Sequence, residues 1–459
     1  MGPRWDRLPS RDSDERAKQQ KQISCGNADR KASATTGLAS LLGWSGADPS
    51  RCCASFVIVL LMTQTTRLTI NRRKFLALSA AAAIATQRAV PAFAAESSAF
   101  KMVAAVDTPR VLRLATKWLH EPPQTITSFT SPRSPGGPHD FFSEADYFWP
   151  NPANPNGPYK EIDGKSNPDN FQDHRRAMIR LSLAMPALTA GYVLTRRKEY
   201  AKAAAAHLLA WFVTPETRTT PNLEYSQGVR NGGPTGRSYG IIDTLHLVEV
   251  ARAATFVQSF LSATDFAALQ GWFRDYLAWM STSEKGIRER DATNNHGICW
   301  GLQAAEFARL ANDEAARKEV RERFIHVQLP MQMAPNGSFP RELARTKPYG
   351  YSIFNFDVAS TLCWSLGGED FERFALPDGR GMCKAAEFLE PYLGDKSKWP
   401  YAHDVQHWES WPVRSPGLLF CGLACGKPEY VALWRKLDPD PGDPEIVRNF
   451  PVRQPVLWV

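Results

Sequence analysis

Residues 175–194 read RRAMIRLSLAMPALTAGYVL, and this stretch indicates the fold class of the chain. Its apolar side chains recur mostly at intervals of three and four residues, the period of an α-helix with one buried face. They are Met178, Leu181, Leu183, Met185 and Leu188. Residues 198–212 repeat the pattern through alanines, Leu208, Leu209, Trp211 and Phe212, so two successive helices are predicted.

The same periodicity continues as far as residue 436. It predicts helices at 240–261, 264–281, 295–310, 313–329, 353–366, 380–393, 415–424 and 427–436. Runs of β-branched residues with a period of two are scarce. We therefore expect a mainly α protein, and alternating helix pairs fit an (α/α) toroid, an incomplete α/α barrel of six or seven helix pairs around a central cleft. The long irregular segments 131–170 and 214–240 are expected to line that cleft and carry function.

The net charge of +8 suggests a polyanionic partner, but its position argues against nucleic acid. Residues 1–94 hold 14 basic and 6 acidic side chains, a difference of 8 that accounts for the whole excess. The remaining residues are balanced, so the backbone of a nucleic acid would meet no broad basic surface. No apolar stretch in the sequence reaches the length of a membrane span, so an integral membrane protein is not expected either.

The N-terminal segment is typical of an export signal. Asn71-Arg72-Arg73-Lys74-Phe75-Leu76 precedes an alanine-rich run and the small residues Ala92-Phe93-Ala94, the order found in twin-arginine signals. The alternative is an internal amphipathic helix that begins with arginines. We predict a signal peptide over 62–94, with Met62 as the start, and an over-extended or disordered leader over 1–61. A single domain over 95–459 would then be periplasmic or secreted after cleavage near Ala94-Ala95.

The cysteines and histidines predict no metal centre and no cofactor. Beyond the leader the cysteines are odd in number and lack CxxC spacing, which favours small core residues over a zinc ribbon or a disulfide scaffold. They are Cys299, Cys363, Cys383, Cys421 and Cys425. His403 and His407 have the spacing of a zinc-binding helix, but Asp404 replaces the usual glutamate and no third ligand follows. We expect His407 and Trp408 to line the cleft instead.

Two clusters carry residue types suited to chemistry on an anionic ligand. Asn294, Asn295 and His296 begin a predicted helix, whose free amide groups and dipole favour negative charge. The alternative is an asparagine cap with a buried histidine. Residues 339–355 hold three cations and two phenols, Arg341, Arg345, Lys347, Tyr349 and Tyr351. The alternative there is a solvated basic loop with aromatic anchors.

Together these clusters resemble the alginate lyase superfamily of polysaccharide lyases. Further matching pieces are Tyr225-Ser226-Gln227, Gly236-Arg237-Ser238 and Trp411-Pro412-Val413-Arg414. The interval of six residues from Arg345 to Tyr351, and of 55 from His296 to Tyr351, is closer to polysaccharide lyase family 38 than to family 5. The resemblance implies an (α/α) toroid that cleaves β-1,4-linked uronate polymers by β-elimination, without a cofactor, and leaves 4,5-unsaturated ends.

The resemblance also implies a role for each catalytic residue. Asn295, Arg345 and His296 would pair with the uronate carboxylate and stabilise the enolate-like charge that forms when the C5 proton leaves. Tyr351 would act as both base and acid on mannuronate or glucuronate, and His296 would replace it as base on guluronate. A phenol can serve as base only if neighbouring cations lower its pKa, and Arg341, Arg345 and Lys347 are the candidates.

Residues in the irregular segments and near the motifs are expected to bind substrate, and selection of its C2 epimer is expected from loop residues such as Trp149, Gln227, Arg230 and Asn231. The expected binding residues are Trp149, Tyr225, Gln227, Arg230, Asn231, Arg237, Asn294, Arg341, Tyr349, His407 and Trp408.

Two other classes of function stay open at this point. A glycoside hydrolase on a similar toroid needs a pair of carboxylates, for which Glu224, Glu289, Asp291 and Glu342 are candidates. A non-catalytic protein that binds an acidic polysaccharide would keep the aromatic loops without needing His296 and Tyr351. The ultraviolet absorbance of unsaturated uronate ends distinguishes the lyase from both. Oligomeric state is not predicted.

Overall fold

A computed structural model describes residues 97–459 of the chain. The predicted leader and the predicted twin-arginine signal, residues 1–61 and 62–94, lie outside the described residues, so both stay predictions. The described residues belong to one compact unit of the chain, Ala89–Val459.

Fifteen α-helices build the described part of the chain. In chain order they are α1 (Ser98–Trp118), α2 (Asp173–Thr195), α3 (Lys198–Phe212), α4 (Leu247–Ala254), α5 (Ala263–Thr282), α6 (Glu284–Arg290), α7 (Asn295–Ala311), α8 (Glu314–Arg323), α9 (Leu329–Gln332), α10 (Pro340–Leu343), α11 (Pro348–Gly367), α12 (Met382–Gly394), α13 (Pro416–Ala424), α14 (Pro428–Lys436) and α15 (Pro444–Arg448). Short 3₁₀ segments, among them Ser238–Thr244 before α4, and a π-helical segment Phe324–Gln328 connect them.

Five of these helices form an inner ring. Helices α2, α4, α7, α11 and α13 are almost wholly buried, and each packs against the next one in this order. The outer helices α1, α3, α5, α8, α12 and α14 pack against the ring from outside. An inner helix with apolar residues on every side is stable only when neighbours cover it all round. The described residues thus form the mainly α, (α/α) toroid that the sequence predicts.

Side-chain caps mark the starts of two outer helices. The side chain of Ser262 caps α5 by accepting from the backbone N–H of Asp265, and Asp313 caps α8 by accepting from Ala316. Helix α11 begins at Pro348, five residues before the predicted start at 353. Proline is favoured in the first turn of a helix because its missing N–H would have no partner there. This early start places Tyr349 and Tyr351 on the helix rather than in a loop.

Four short strands lie in the two long irregular segments. Strand β1 (Phe142–Glu144) pairs in parallel with β4 (Tyr225–Gly228), with Phe142 opposite Tyr225. Strand β2 (Phe148–Trp149) pairs antiparallel with β3 (Lys160–Glu161), with Phe148 opposite Glu161. The pairing ties the segments 131–170 and 214–240 to each other and to the ring, where they form one wall of a cleft.

Two features differ from the sequence expectations. Helix α2 is, by length and composition alone, apolar enough to cross a membrane, although no such stretch was expected, and 72% of its most apolar window is buried within the protein. Helices α1, α3 and α4 cover the apolar side chains of α2, so packing inside the protein accounts for its apolar composition.

The second difference is a disulfide. Cys383 and Cys425 form a disulfide that joins α12 to the end of α13, so the expectation that all five cysteines are free core residues is wrong for these two. Cys299, Cys363 and Cys421 are free and buried as expected. Spacing alone missed the bond because the two partners are 42 residues apart and meet only when α12 packs on α13.

Candidate active site

The amino-terminal ends of α7 and α11 open onto a cleft of about 280 Å³. Segments 145–148 and 161–163, the end of β4 and the start of the 3₁₀ segment before α4 complete its walls. Helix amino termini carry partial positive charge, so their convergence favours an anionic ligand. The polar side chains that line the cleft are Asp146, Tyr147, Glu161, Asp163, Gln227, Arg237, Tyr239, Asn294, Asn295, His296, Arg345, Tyr351, Arg448 and Asn449.

Asn295, the first residue of α7, is held by two hydrogen bonds to Glu342. Its backbone N–H donates to Glu342 Oε1 at 2.8 Å, and its side-chain Nδ2 donates to Oε2 at 2.7 Å. Burial raises the pKa of Glu342, while the hydrogen bonds from Asn295 and the charge of Arg345 act in the opposite direction. The carboxyl group therefore holds the carboxamide in one orientation at the edge of the cleft.

His296 is oriented by a second buried carboxylate. Its Nδ1 lies 2.6 Å from Oε1 of Glu289, which is fully buried, and its ring packs on Tyr239 with the centroids 4.9 Å apart. Because a carboxylate only accepts, Nδ1 carries the proton of this bond, and Nε2 is the nitrogen left for a ligand. This arrangement suits a side chain that donates to, or takes a proton from, a group in the cleft.

Arg345 is committed to Asp163 and to the ring of Tyr351. Its Nε and Nη2 donate to the two carboxylate oxygens of Asp163 at 3.1 and 2.7 Å. Its guanidinium carbon lies 4.2 Å from the centre of the Tyr351 ring. Burial acts to raise the pKa of Asp163, but the hydrogen bonds and charge of Arg345 lower it overall. Arg345 thus holds its place beside Tyr351 through an ion pair within the protein.

Tyr351 faces the cleft from the first turn of α11. Its hydroxyl donates to the hydroxyl of Tyr147 at 3.2 Å, and Lys347 Nζ lies 5.2 Å from the centre of its ring. Burial and Tyr147 raise the pKa of Tyr351 well above its ordinary value, against the lowering effect of Lys347 and Arg345. The expectation that neighbouring cations bring this pKa down is therefore wrong for the unliganded protein: two of the three cations are present, but burial outweighs them.

Among residues 97–459, Arg237 is the cation of the cleft with no acidic side chain at ion-pair distance. The negative charge of Glu161 acts on it from farther away, and its buried Nε has no hydrogen-bond partner. The guanidinium carbon lies 4.5 Å from the centre of the Phe148 ring and 4.8 Å from that of Tyr239. Burial lowers the pKa of Arg237. A half-buried guanidinium held between two rings, with no acidic side chain of residues 97–459 at ion-pair distance, is suited to bind a carboxylate that arrives with a ligand.

A network of charges forms the floor of the cleft. Asp146 accepts from Arg175 and from Arg448, each at 2.5 Å, and Arg175 also pairs with the buried Asp243 at 2.9 Å. Asp243 in turn accepts from Gln227 Nε2 at 3.1 Å. These bonds fix Gln227, whose backbone has the positive φ of 52°. The floor is therefore rigid and internally neutralised.

The cleft brings together seven of the predicted site residues. Asn295, His296, Arg345 and Tyr351 line it, and so do Gln227, Arg237 and Asn294. Arg341 lies in an adjoining groove of about 960 Å³ that shares Arg237, Tyr239 and Asn294 with the cleft.

Four predicted binding residues from the irregular segments do not line the cleft. Arg230 is held by Glu144 at 2.9 Å, and Trp149 donates its indole N–H to Lys165 O at 2.9 Å. Tyr225, Arg230 and Asn231 line a separate depression. These side chains bind other parts of the two irregular segments, so their polar and aromatic character serves the loops themselves.

Tyr349, His407 and Trp408 are also outside the cleft. Tyr349 is fully buried and donates its hydroxyl to Tyr392 O at 2.9 Å. Side chains two positions apart on a helix point in nearly opposite directions, so Tyr349 faces the core when Tyr351 faces the cleft. His407 pairs with Asp443 at 2.8 Å, and Trp408 packs against Tyr349. His403 stacks on Trp408 rather than facing His407. Among residues 97–459, no group of three or more His, Cys, Asp or Glu side chains is arranged to hold a metal ion.

Sequence reasoning missed the residues that hold the candidate catalytic side chains in place. Glu289 and Glu342 were named only as hydrolase candidates, and Asp163 was not named. Each of the three carboxylates holds a predicted site residue in place. Each of the four hydrolase candidates is bound by another side chain: Glu224 by Lys285, Asp291 by Arg323, Glu289 by His296 and Glu342 by Asn295. Tyr147 was visible only as one of several aromatic residues in 131–170. No local signal marks these partners, since they lie far from their targets in sequence or are common acidic residues.

A family model and several solved structures are similar to this chain. A family model described as alginate lyase matches residues 125–399. An alginate lyase from Bacteroides ovatus of known structure is 28% identical, with 78% of this chain and 94% of that chain covered and a TM-score of 0.67. Alginate lyase A1-III complexed with a tetrasaccharide is 14% identical, with 80% and 97% covered and a TM-score of 0.48. The A1-III structure from Sphingomonas species A1 is 14% identical, with 78% and 96% covered and a TM-score of 0.43. No curated protein sequence matches the chain.

Proposed function

Because this chain belongs to the alginate lyase family and is a polysaccharide lyase, we propose that it cleaves the β-1,4-linked mannuronate chains of alginate by β-elimination. The observation that carries the proposal is the meeting of Tyr351, His296, Asn295 and the unpaired Arg237 around one cleft. A uronate needs a cation and neutral donors for its carboxylate and a proton-transfer group beside C5, and these four side chains supply them.

The carboxylate of the reacting uronate is the group that must be neutralised first. Its negative charge keeps the neighbouring C5 proton barely acidic, and hydrogen bonds to its oxygens favour the enolate-like state that forms when the proton leaves. Asn295 is held by the buried carboxyl group of Glu342 and presents a fixed donor. Glu289 holds His296 with Nε2 toward the cleft, where this nitrogen donates in the protonated form of the ring and accepts in the neutral form. Because Arg345 is already paired with Asp163, we assign Arg237 as the cation that pairs with the uronate carboxylate. Arg345 instead places a positive charge beside the Tyr351 ring.

Tyr351 is proposed to move the proton. In mannuronate the C5 hydrogen and the C4 oxygen lie on the same side of the ring, so one phenol oxygen can take the first and protonate the second. The C5–H electron pair becomes the C4–C5 double bond as the C4 oxygen departs with a proton. On guluronate the C5 hydrogen lies on the other side, and His296 Nε2 would take it while Tyr351 protonates the leaving oxygen.

Glucuronan is the second candidate substrate. Glucuronate differs from mannuronate only at C2, so the reacting atoms would meet the same side chains. The sequence intervals from His296 and Arg345 to Tyr351, which are closer to those of family 38, favour keeping it in the test.

We also propose that the protein acts outside the cytoplasm, in the periplasm or after secretion. The support is twofold: the paired arginines at 72–73 precede an apolar run and small residues, and Cys383 and Cys425 form a disulfide. Disulfides persist in oxidising compartments and are rare in the cytosol. An acidic polysaccharide too large to enter the cell would be met there.

The test is a screen of purified residues 95–459 against polymannuronate, polyguluronate, glucuronan and hyaluronan. We expect rising ultraviolet absorbance from unsaturated ends on polymannuronate first. Activity on glucuronan alone would reassign the substrate, and the absence of unsaturated product from all four polymers would contradict the proposal.

A further inference from the structure

Tyr147 lies behind Tyr351 at the centre of a hydrogen-bonded chain. The Tyr351 hydroxyl donates to the Tyr147 hydroxyl at 3.2 Å, and the Tyr147 hydroxyl donates to Glu445 Oε1 at 3.3 Å. Lys347 Nζ donates both to the Tyr147 oxygen, at 3.1 Å, and to Glu445 Oε1, at 2.6 Å. Lys347 and Glu445 are buried, 4% and 8% exposed, so bulk water does not take the place of either partner in the resting structure.

The donor and acceptor capacities of these groups fix the direction of every proton. An ammonium only donates and a carboxylate only accepts, so Tyr147 must accept from Lys347 and direct its own proton to Glu445. Arg448 Nη2, another pure donor, also approaches the Tyr147 oxygen at 3.5 Å. With its one proton used on Glu445, Tyr147 can only accept from Tyr351. The Tyr351 proton therefore points away from the cleft, and the lone pairs of its oxygen are left for the ligand.

This direction meets a requirement of the proposed reaction. Burial keeps Tyr351 protonated in the unliganded protein, and a neutral phenol is a very weak base. Tyr351 can take the C5 proton only if its own proton leaves in the same step. The sole hydroxyl that accepts from Tyr351 among the described residues is that of Tyr147.

We propose that Tyr147 is a positioning residue that aims the hydroxyl proton of Tyr351 away from the substrate and relays it to Glu445 as the C5 proton is taken. The inference rests on the proposed function of the cleft. In the forward step the C5–H bond breaks and a bond from that hydrogen to the Tyr351 oxygen forms. The original Tyr351 proton moves to Tyr147, and the Tyr147 proton moves to Glu445.

The second half of the reaction restores every group. The C5–H electron pair, held as the enolate, forms the C4–C5 double bond, and the C4–O bond breaks. Tyr351 gives the leaving oxygen the proton it took from C5, Tyr147 returns a proton to Tyr351, and Glu445 returns one to Tyr147. The protein ends with its starting protons, and no oxidant, reductant or further reactant is needed.

Lys347 and Arg448 give Glu445 the properties of a transient acceptor. Although burial acts to raise it, these two cations lower the pKa of Glu445 overall. The carboxylate is therefore ionised, and able to accept, at neutral pH. The same cations make its protonated form short-lived, so the proton is returned promptly to Tyr147.

Two substitutions test the relay. Tyr147→Phe keeps the ring and removes only the hydroxyl, and we expect kcat to fall about 10²-fold with KM close to that of the wild type. The rate of the wild type in mixtures of H₂O and D₂O should depend on deuterium content along a curve, as several protons move together, and that of the variant along a line. The matched control is Tyr200→Phe, which removes a buried hydroxyl bonded to Thr116, outside the cleft, at 3.1 Å, and should leave both measurements unchanged.

Glu445→Gln tests the other end of the chain and decides the matter if Tyr147→Phe fails to fold. The carboxamide oxygen still accepts from Tyr147 but does not take up a proton, so kcat should fall with a linear deuterium dependence. Wild-type kcat and a curved dependence in the folded variants would overturn the relay while leaving lyase activity in place. Absence of unsaturated product from the wild type would instead overturn the proposed function.

Discussion

The guanidinium of Arg345 lies 4.2 Å from the centre of the Tyr351 ring, and it is kept there by an acidic side chain 182 residues away in sequence. Arg345 donates one hydrogen bond from Nε and one from Nη2, so both carboxylate oxygens of Asp163 accept from it. A cation over a phenol ring favours the charge that builds on the oxygen during proton transfer. The pair therefore acts as one unit whose geometry depends on Asp163.

Replacing Asp163 should slow the reaction without removing any group that touches the substrate. Asp163→Asn keeps the size of the side chain but loses the charge and one acceptor, which frees Arg345 to leave the ring. We expect kcat to fall about tenfold, a loss of about 1.4 kcal/mol in transition-state stabilisation. Asp370→Asn, which removes an exposed ion pair with Arg373, is the control. Equal kcat in the two variants would show that Asp163 has no part in the chemistry.

Tyr351 and Tyr349 provide a matched pair on one helix. Tyr351→Phe should lower kcat by at least about 10²-fold because the proton-transfer group is lost. Tyr349→Phe removes a buried hydroxyl that donates to Tyr392 O, so it should cost about 1 kcal/mol of stability and keep activity. Circular dichroism and thermal unfolding check the folds. A Tyr351→Phe variant with wild-type activity would refute the assignment.

Arg237 should matter most for substrate capture. Arg237→Gln removes the one cation of the cleft that has no acidic partner among the described residues, and we expect KM on polymannuronate to rise about tenfold. The variant should also lose part of the salt dependence of KM, because screening acts on a charge it lacks. Arg373→Gln, at an exposed position, serves as control. An unchanged KM would point to Arg345 as the carboxylate partner.

Asp357 should make stability depend on pH. It lies in α11, is 1% exposed, and burial raises its pKa to about 7 against the hydrogen bonds from Ser415 and the backbone of Gly417. Because the folded state holds this proton more tightly than the unfolded state, its contribution is full below about pH 4 and is lost as pH rises to about 7.

Asp357→Asn mimics the protonated form and removes this dependence. We expect the free energy of unfolding of the variant, minus that of the wild type, to rise by about 1 kcal/mol per pH unit between about pH 4 and 7 and then level off. Chemical unfolding at a series of pH values measures it. A difference that is flat across this range would mean that Asp357 is ionised in the folded protein.

The disulfide should contribute to stability but not to turnover. Cys383 and Cys425 close a loop of 42 residues, and replacing both by serine should lower the free energy of unfolding by about 2–4 kcal/mol. Dithiothreitol should lower the melting temperature of the wild type toward that of the variant and leave the variant unchanged. A wild type that is insensitive to the reductant would count against the bond.

Local sequence patterns predicted the helical architecture because helix periodicity is a property of neighbouring residues. Most predicted ranges match helices of the inner and outer rings. The same patterns found seven residues that meet in the cleft. They were wrong where a helix boundary was misplaced. Helix α11 starts at Pro348, and Tyr349, which was predicted to bind the ligand, is a buried core residue.

The sequence by itself determined that the chain is helical, that its net charge resides in the N-terminal segment, and which motifs hold the candidate catalytic residues. Only the tertiary structure decided which charges are free and which are already paired. Arg345 meets Asp163, Asn295 meets Glu342 and Cys383 meets Cys425, each across a long stretch of chain. The physical reason is that burial and pairing depend on which distant segments pack together, whereas helix formation depends on residues a few positions apart.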